Sequence, residues 1–192
     1  MISLQIHPER ITLFIDDQIQ FDSKDEEIYH RALIDPIMHN VEPERILVLG
    51  GGDGLACREI LKRQCVKSID VVDISKEVTD LFSENKDLIQ LNNNSLNDAK
   101  VNVINQDVLE WMRENSKRYD AVIVDLVDPT TEEFKKLYTK EALNGYFSLS
   151  DYVVMQSGET IDDIFDKVDE HIMSYAQYIP SFGWWEFAIK CT

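Results

Sequence analysis

The sequence predicts an α/β domain built on a doubly wound, mostly parallel sheet, with a C-terminal antiparallel strand and a small N-terminal β-meander ahead of it. Three observations carry this expectation. Short apolar runs alternate with segments of helical periodicity along most of the chain. One run, Ile46 to Leu49, is too short for a helix and ends in Gly50-Gly51-Gly52-Asp53-Gly54, so it reads as a strand buried on both faces. Helical spacing then resumes at Leu55, Ala56, Ile60 and Leu61, and an acid, Asp73, closes the next strand twenty residues after Asp53.

In chain order, residues 2–6 and 11–15 are apolar or alternating, with His7-Pro8-Glu9-Arg10 as a turn, and Ile19 and Phe21 alternate with glutamines. These make the meander, residues 1–22, ahead of a main domain over residues 23–192. Asp25 to Ile34 is a helix with acids in its first turn and Pro36 closing it. After the strand Ser68 to Asp73, Ser75 is the N-cap of a helix carrying Val78, Leu81 and Phe82. Asn92 to Asp98 is a polar connector, Lys100 to Ile104 a strand, and Val108 to Glu114 a short helix. A buried strand, Tyr119 to Val124, runs into Asp125-Leu126-Val127-Asp128-Pro129. A helix near Thr131 to Leu143 and a strand at Tyr152 to Gln156 follow. Ile161 to Ser174 reads as an amphipathic helix with Ile164, Phe165, Val168 and Ile172 on one side. Two aromatic-rich strands, near 175–179 and 185–191, are too close for a helical crossover and therefore pair antiparallel. The whole is a Rossmann-like layout of the AdoMet-methyltransferase type.

Charge and cysteines narrow the partners. The formal net charge of −17 on 192 residues argues against binding nucleic acid through its phosphates and against anionic membrane surfaces. It favours a cationic substrate, although an acidic solvated surface gives the same balance. The first ten residues hold no apolar run of signal-peptide length, and no stretch approaches a membrane span. Three cysteines without paired spacing suit reduced thiols and a cytoplasmic location. Four scattered histidines make no metal site.

Ligands of such sheets bind beyond the carboxyl ends of the strands. The residues there are Asp53, Asp73, Asp107, Asp125, Asp128 and Gln156. The turn at Gly50 and Gly52 together with Asp73 suits a nucleoside, Asp73 accepting from ribose hydroxyls; the alternative is a glycine turn that only lets helix and strand pack. Asp107 is placed to accept from an exocyclic adenine amine. Asp53, Asp125 and Asp128 exceed what a nucleoside needs. A methyl-transfer site has little use for spare negative charge, whereas an amine site does, because a carboxylate binds an ammonium and then takes its proton as the nitrogen attacks. Asp125 as a helix cap and Asp128-Pro129 as an ordinary turn is the other reading of the same residues.

Three stretches resemble the spermidine synthase (polyamine aminopropyltransferase) family: Gln20 to His30, Val48 to Leu55 with Arg58-Glu59, and Tyr119-Asp120 with Val124-Asp125 and Asp128-Pro129. Leu137-Tyr138-Thr139 and Pro180-Ser181-Phe182-Gly183 resemble the branch often joined to membrane segments. The resemblance implies transfer of an aminopropyl group from decarboxylated AdoMet, a co-substrate, to a diamine such as putrescine, releasing methylthioadenosine with no metal or further cofactor. It makes Asp125 the base and Asp128 a holder of the acceptor amine. Gln20 and Asp53 lie near the aminopropyl group, Asp73 on the ribose and Asp107 at the adenine, while Tyr29, His30 and Gln156 line the channel between donor and acceptor. Departures from the family pattern, such as Arg31 for a glutamate and Thr130-Thr131 for glycine-proline, fall on the acceptor side or the periphery. The competing readings are an AdoMet-dependent methyltransferase and a non-catalytic nucleoside-binding relative. The short N-terminal strands expose edges, which predicts a homodimer.

Overall fold

Two sheets organise the computed structural model, which describes residues 2–15, 18–157 and 171–191. Strands β1 (Ile2–His7), β2 (Arg10–Ile15) and β3 (Gln18–Asp22) form the antiparallel meander, in which His7 pairs with Arg10 across the first turn. The meander does not stand alone, since its Leu13 and Phe21 are buried with Leu55, Val78 and Phe82 of the main domain.

The second sheet holds β4 (Arg45–Gly50), β5 (Ser68–Val72), β6 (Val101–Ile104), β7 (Ala121–Asp125), β8 (Tyr152–Gln156), β9 (Ile172–Ile179) and β10 (Gly183–Cys191), in the spatial order β6-β5-β4-β7-β8-β10-β9. The first five in sequence run parallel, and β10 lies antiparallel to both β8 and β9. From β4 the chain winds outward to β6 and then returns to place β7 on the other side of β4. The reversal leaves a crevice beyond Gly50 and Asp125, which pair in register, and this is where open α/β sheets bind ligands.

Alternate residues of the central strands enter different cores. Val48, Val71, Ile123 and Val154 pack under α1 (Glu26–Asn40) and α2 (Leu55–Leu61), through Leu33, Ile37, Ala56 and Ile60. Leu47, Leu49, Val122 and Val124 pack on the other face, against Val108 and Trp111 of one helix and Leu143 and Tyr146 of another. Each such side chain contributes about 1.5–3 kcal/mol through burial, so the strands around the crevice form the rigid part of the fold. The remaining helices are α3 (Lys76–Glu84), α4 (Lys86–Leu91), α5 (Val108–Glu114), α6 (Glu132–Lys135) and α7 (Lys140–Leu149). None of the described helices is long and apolar enough to cross a membrane.

Four elements differ from the sequence expectations. Pro36 does not end α1, which runs on to Asn40. A proline at 36 leaves the carbonyl of Ala32 without its helical donor, and the Tyr175 hydroxyl donates to that carbonyl at 2.8 Å. The helix expected over 131–143 breaks at Thr139, whose extended backbone and side-chain cap on the Ala142 N–H start α7 and carry it to Leu149. The Asn-rich stretch is preceded by α4, capped by Asn85, and its Asn92 and Ser95 are buried rather than solvated. The helix expected over 161–174 lies outside the described residues except at its end, where Ile172 to Ser174 already belong to β9.

Candidate active site

The turn after β4 is sewn to the end of β7. Gly50 has φ +80°, and a Cβ there would meet the Asp125 carbonyl oxygen at 2.0 Å. That carbonyl accepts from the Gly51 N–H at 3.1 Å. Gly52 keeps the neighbouring side open: its N–H donates to Asp73 Oδ2 at 2.9 Å, where a Cβ would stand 2.6 Å from the same oxygen. The Ser75 N–H donates to Asp73 Oδ1 at 2.8 Å, so two amides orient this carboxylate. Burial pushes Asp73 above the usual carboxylate range, against the pull of those amides.

Two cavities adjoin across this end of the sheet. The larger, about 320 Å³, is bordered by Gly50, Asp73, Ile74, Asp107 and Val108. The smaller, about 110 Å³, is bordered by Gln20, Tyr29, His30, Asp53, Asp128 and Gln156. Asp73, Asp125, Leu126 and Val127 face both. Every residue picked from the sequence for the site therefore lies on one of two connected walls, with Asp125 at the junction.

Asp125 is only 10% exposed and is approached from α1 by two side chains. The Tyr29 hydroxyl donates to its Oδ1 at 2.8 Å, and His30 Nε2 stands 3.9 Å from its Oδ2. Burial and the Asp125 charge hold the Tyr29 hydroxyl well above its ordinary pKa, so it acts as a neutral donor. The His30 ring meets the Glu26 carbonyl at 2.7 Å and Glu26 Oε2 at 3.0 Å through Nδ1, contacts that require a proton on that nitrogen. Burial opposes charging the ring, but the hydrogen bond it donates to Glu26 and the charges of Asp125 and Asp53 outweigh it and lift His30 to about 9. Asp53 is raised as well. Burial pushes it up, the imidazolium pulls it down and Asp125 pushes it up again, leaving it at about 6. Its Oδ1 accepts from the Leu55 N–H at 2.9 Å, and its carbonyl is held by buried Asn92 at 2.9 Å.

The loop after β7 is fixed from β8. Gln156 Nε2 reaches the Leu126 carbonyl at 2.7 Å, Asp128 Oδ1 at 3.0 Å and the Tyr138 hydroxyl at 2.8 Å. Burial raises Asp128 above the usual carboxylate range, opposed by the Gln156 bond. Asp125 is no helix cap, because Thr131 caps α6. Asp107 does cap a helix: its Oδ1 accepts from the Leu109 and Glu110 N–H groups at 2.8 and 3.0 Å, which spends one oxygen and orients the other. Gln20 lies on the wall of the smaller cavity and donates to the Gln18 carbonyl at 3.3 Å.

Residue reading alone misses four contributors. Tyr138 donates to the Val127 carbonyl at 3.0 Å and so braces the loop between the two aspartates. Glu26 and Arg58 form a bidentate pair behind His30, at 2.7 and 2.9 Å. Trp185 borders the smaller cavity beside Phe182, and its Nε1 is buried with no partner among the described residues. Glu26, Arg58 and Tyr138 stand inside the stretches that resemble the family, which was the available signal; Trp184, next to Trp185 in sequence, is 71% exposed.

Known proteins match this chain in sequence and in fold. A family model described as the spermine/spermidine synthase domain matches residues 26–190. A protein named polyamine aminopropyltransferase from Oceanobacillus iheyensis is 37% identical over 93% of this chain and 38% of its own length. One of the same name from Leptospira interrogans is 38% identical over 93% of this chain and 39% of its own length. The chain thus spans well under half of these two relatives. A crystal structure of a spermidine synthase in complex with the transition-state analogue AdoDATO superposes with a TM-score of 0.86, covering 98% of this chain and 69% of that one at 23% identity, which speaks for the fold. By the extent of the family match and the order of its motifs, this chain belongs to the spermine/spermidine synthase family.

Proposed function

We propose that this chain carries out aminopropyl transfer from decarboxylated AdoMet to a diamine such as putrescine, releasing methylthioadenosine. The observation that carries the reading is the place of Asp125, at the junction of two cavities with Tyr29 and His30 against its oxygens. The larger cavity takes the nucleoside, with Asp73 on the ribose, Asp107 at the adenine and the backbone at Gly50 and Gly52 alongside. The smaller takes the aminopropyl tail, near Asp53 and Gln20, and the acceptor amine, near Asp128 and Gln156.

In this reading the acceptor ammonium is bound by Asp125 and Asp128 and gives a proton to Asp125. The freed nitrogen lone pair attacks the methylene carbon next to the sulfonium. The carbon–sulfur bond breaks, its electrons return to sulfur, and a neutral thioether leaves. The sulfonium is its own leaving group, so the donor is a co-substrate and the step calls for no metal or other cofactor. Holding nitrogen, carbon and sulfur in line is the main catalytic contribution.

Two further parts of the reading concern setting. Three free cysteines support a cytoplasmic location. The short meander strands, whose outer edges are unpaired within the sheet, support a homodimer with these segments at the contact; light scattering should give twice the chain mass at micromolar concentration, and a monomer would refute it. The activity itself is tested by measuring methylthioadenosine release from decarboxylated AdoMet against a panel of mono- and diamines. Release that depends on a diamine is expected; no release with any amine would overturn the assignment.

A further inference from the structure

Behind Asp125 runs a buried line of charge that none of the roles above uses. Glu26 is 2% exposed, on the first turn of α1. Its carboxylate takes both Nη groups of Arg58, from α2, at 2.7 and 2.9 Å, and faces His30 Nδ1 one helical turn on at 3.0 Å. Arg58 is fixed in turn by Glu59 at 2.9 Å and by the Leu91 carbonyl at 2.9 Å. At the far side of the imidazole, Nε2 looks toward Asp125. The polar groups facing the ring are therefore Glu26 on its own helix, Asp125 from β7 and Asp53 from the glycine turn, with the Tyr29 ring packed edge-on at 5.0 Å.

Burying two charges without excellent geometry is unfavourable, so a glutamate this deep needs a purpose beyond holding the fold. Packing alone is served as well by an apolar side chain. What Glu26 does supply is an acceptor at Nδ1 that fixes ring and tautomer and offsets the burial that would strip the ring of its proton.

We propose that Glu26 is a positioning residue that acts through His30: locked by Arg58, it keeps the imidazole charged with Nε2–H turned to Asp125, so that a fixed cation stands between the Asp53 and Asp125 carboxylates. The His30 charge lies between Asp53 and Asp125 and offsets part of the repulsion that two like charges meet in a confined site. His30 is raised to about 9, and its charge pulls Asp53 down against burial and the Asp125 charge, which still leave Asp53 raised to about 6. The inference rests on the proposed transfer only for its kinetic consequence; the state of His30 is a property of the free protein.

The test is an NMR pH titration of the His30 ring in the whole chain for the parent and Glu26→Gln, beside the pH–rate profile of both, of His30→Gln and of the double variant. The parent ring should be charged with Nδ1 protonated at neutral pH and lose its proton near 9. Glu26→Gln should lower that midpoint by about one unit or more, a tenfold change in proton affinity, and the alkaline limb of the rate profile should move with it. In the His30→Gln background, Glu26→Gln should no longer move the profile. Should Glu26→Gln fail to fold because Arg58 loses its bidentate partner, Glu26→Gln with Arg58→Met removes both charges of the pair and is read in the same way. A parent ring that is neutral at neutral pH, a midpoint unchanged in the variants, or a rate loss with an unshifted profile would each overturn the proposal. If no amine is aminopropylated, the titration still decides it, and only the functional reading falls.

Discussion

Replacing Asp125 by asparagine separates chemistry from binding. The substitution preserves shape, and an amide oxygen can still accept the Tyr29 hydroxyl now at 2.8 Å from Oδ1. The other oxygen becomes an NH₂ facing His30 Nε2, now 3.9 Å away, so two donors oppose each other where an anion met a cation. What the proposed reading loses is the proton acceptor and one charge beside the acceptor amine. Transfer should fall about 10²–10⁴-fold, the usual contribution of a positioned general base, which is about 3–5 kcal/mol in the barrier. Methylthioadenosine, which is neutral, should bind within about threefold of the parent, because in the proposed reading it is held by Asp73 and Asp107, whose orienting bonds to Gly52, Ser75, Leu109 and Glu110 do not involve Asp125. Single-turnover product formation and calorimetry give the two numbers. Transfer at the parent rate would refute Asp125 as the base. A loss of nucleoside affinity equal to the loss of rate would refute the division of labour between the cavities.

Asp73→Asn should do the reverse, weakening methylthioadenosine about tenfold or more with little change in rate at saturating donor; unchanged affinity in calorimetry would remove Asp73 from the ribose. Decarboxylated AdoMet should bind more tightly than AdoMet by about 1–3 kcal/mol, because the extra carboxylate meets Asp53 and Asp125 in a half-buried site; competition binding that ranks AdoMet first would contradict it. His30 also links stability to pH. Its pKa is raised on folding from 6.5 to about 9, so its contribution is complete below 6.5 and is lost as pH rises through about 9. The unfolding midpoint should fall across that window in the parent and fall less in His30→Gln; equal slopes in the two proteins would contradict the charged ring.

The sheet was legible because both its faces are covered. Strands such as Ile46 to Leu49 read as unbroken apolar runs, and Gly50 and Asp73 mark where they stop. The rim carboxylates were legible for the same reason, since a strand end fixes what faces the crevice. What escaped depends on partners far away in sequence. Pro36 looks like a helix stop until Tyr175 answers the carbonyl it orphans. Thr131 to Leu143 reads as one helix until Thr139 uses its side chain to start another. Asn92 sits in a run that looks solvated, yet it is fully buried and holds the carbonyl of Asp53. The pairing of Glu26 with Arg58 spans 32 residues, and no local spacing announces it. Asp125 could be read as a helix cap because nothing in its own stretch shows that Thr131 takes that place on α6.

The central claim is that the group moved is aminopropyl and that its acceptor is an amine. It is tested most directly by supplying the protein with AdoMet and decarboxylated AdoMet together, adding putrescine, and following both donors and all amine products by mass spectrometry. The account predicts that decarboxylated AdoMet alone is consumed and that methylthioadenosine and an aminopropylated diamine appear in equal amounts. Consumption of AdoMet with a methylated product, or a donor that is bound but never consumed, would contradict it.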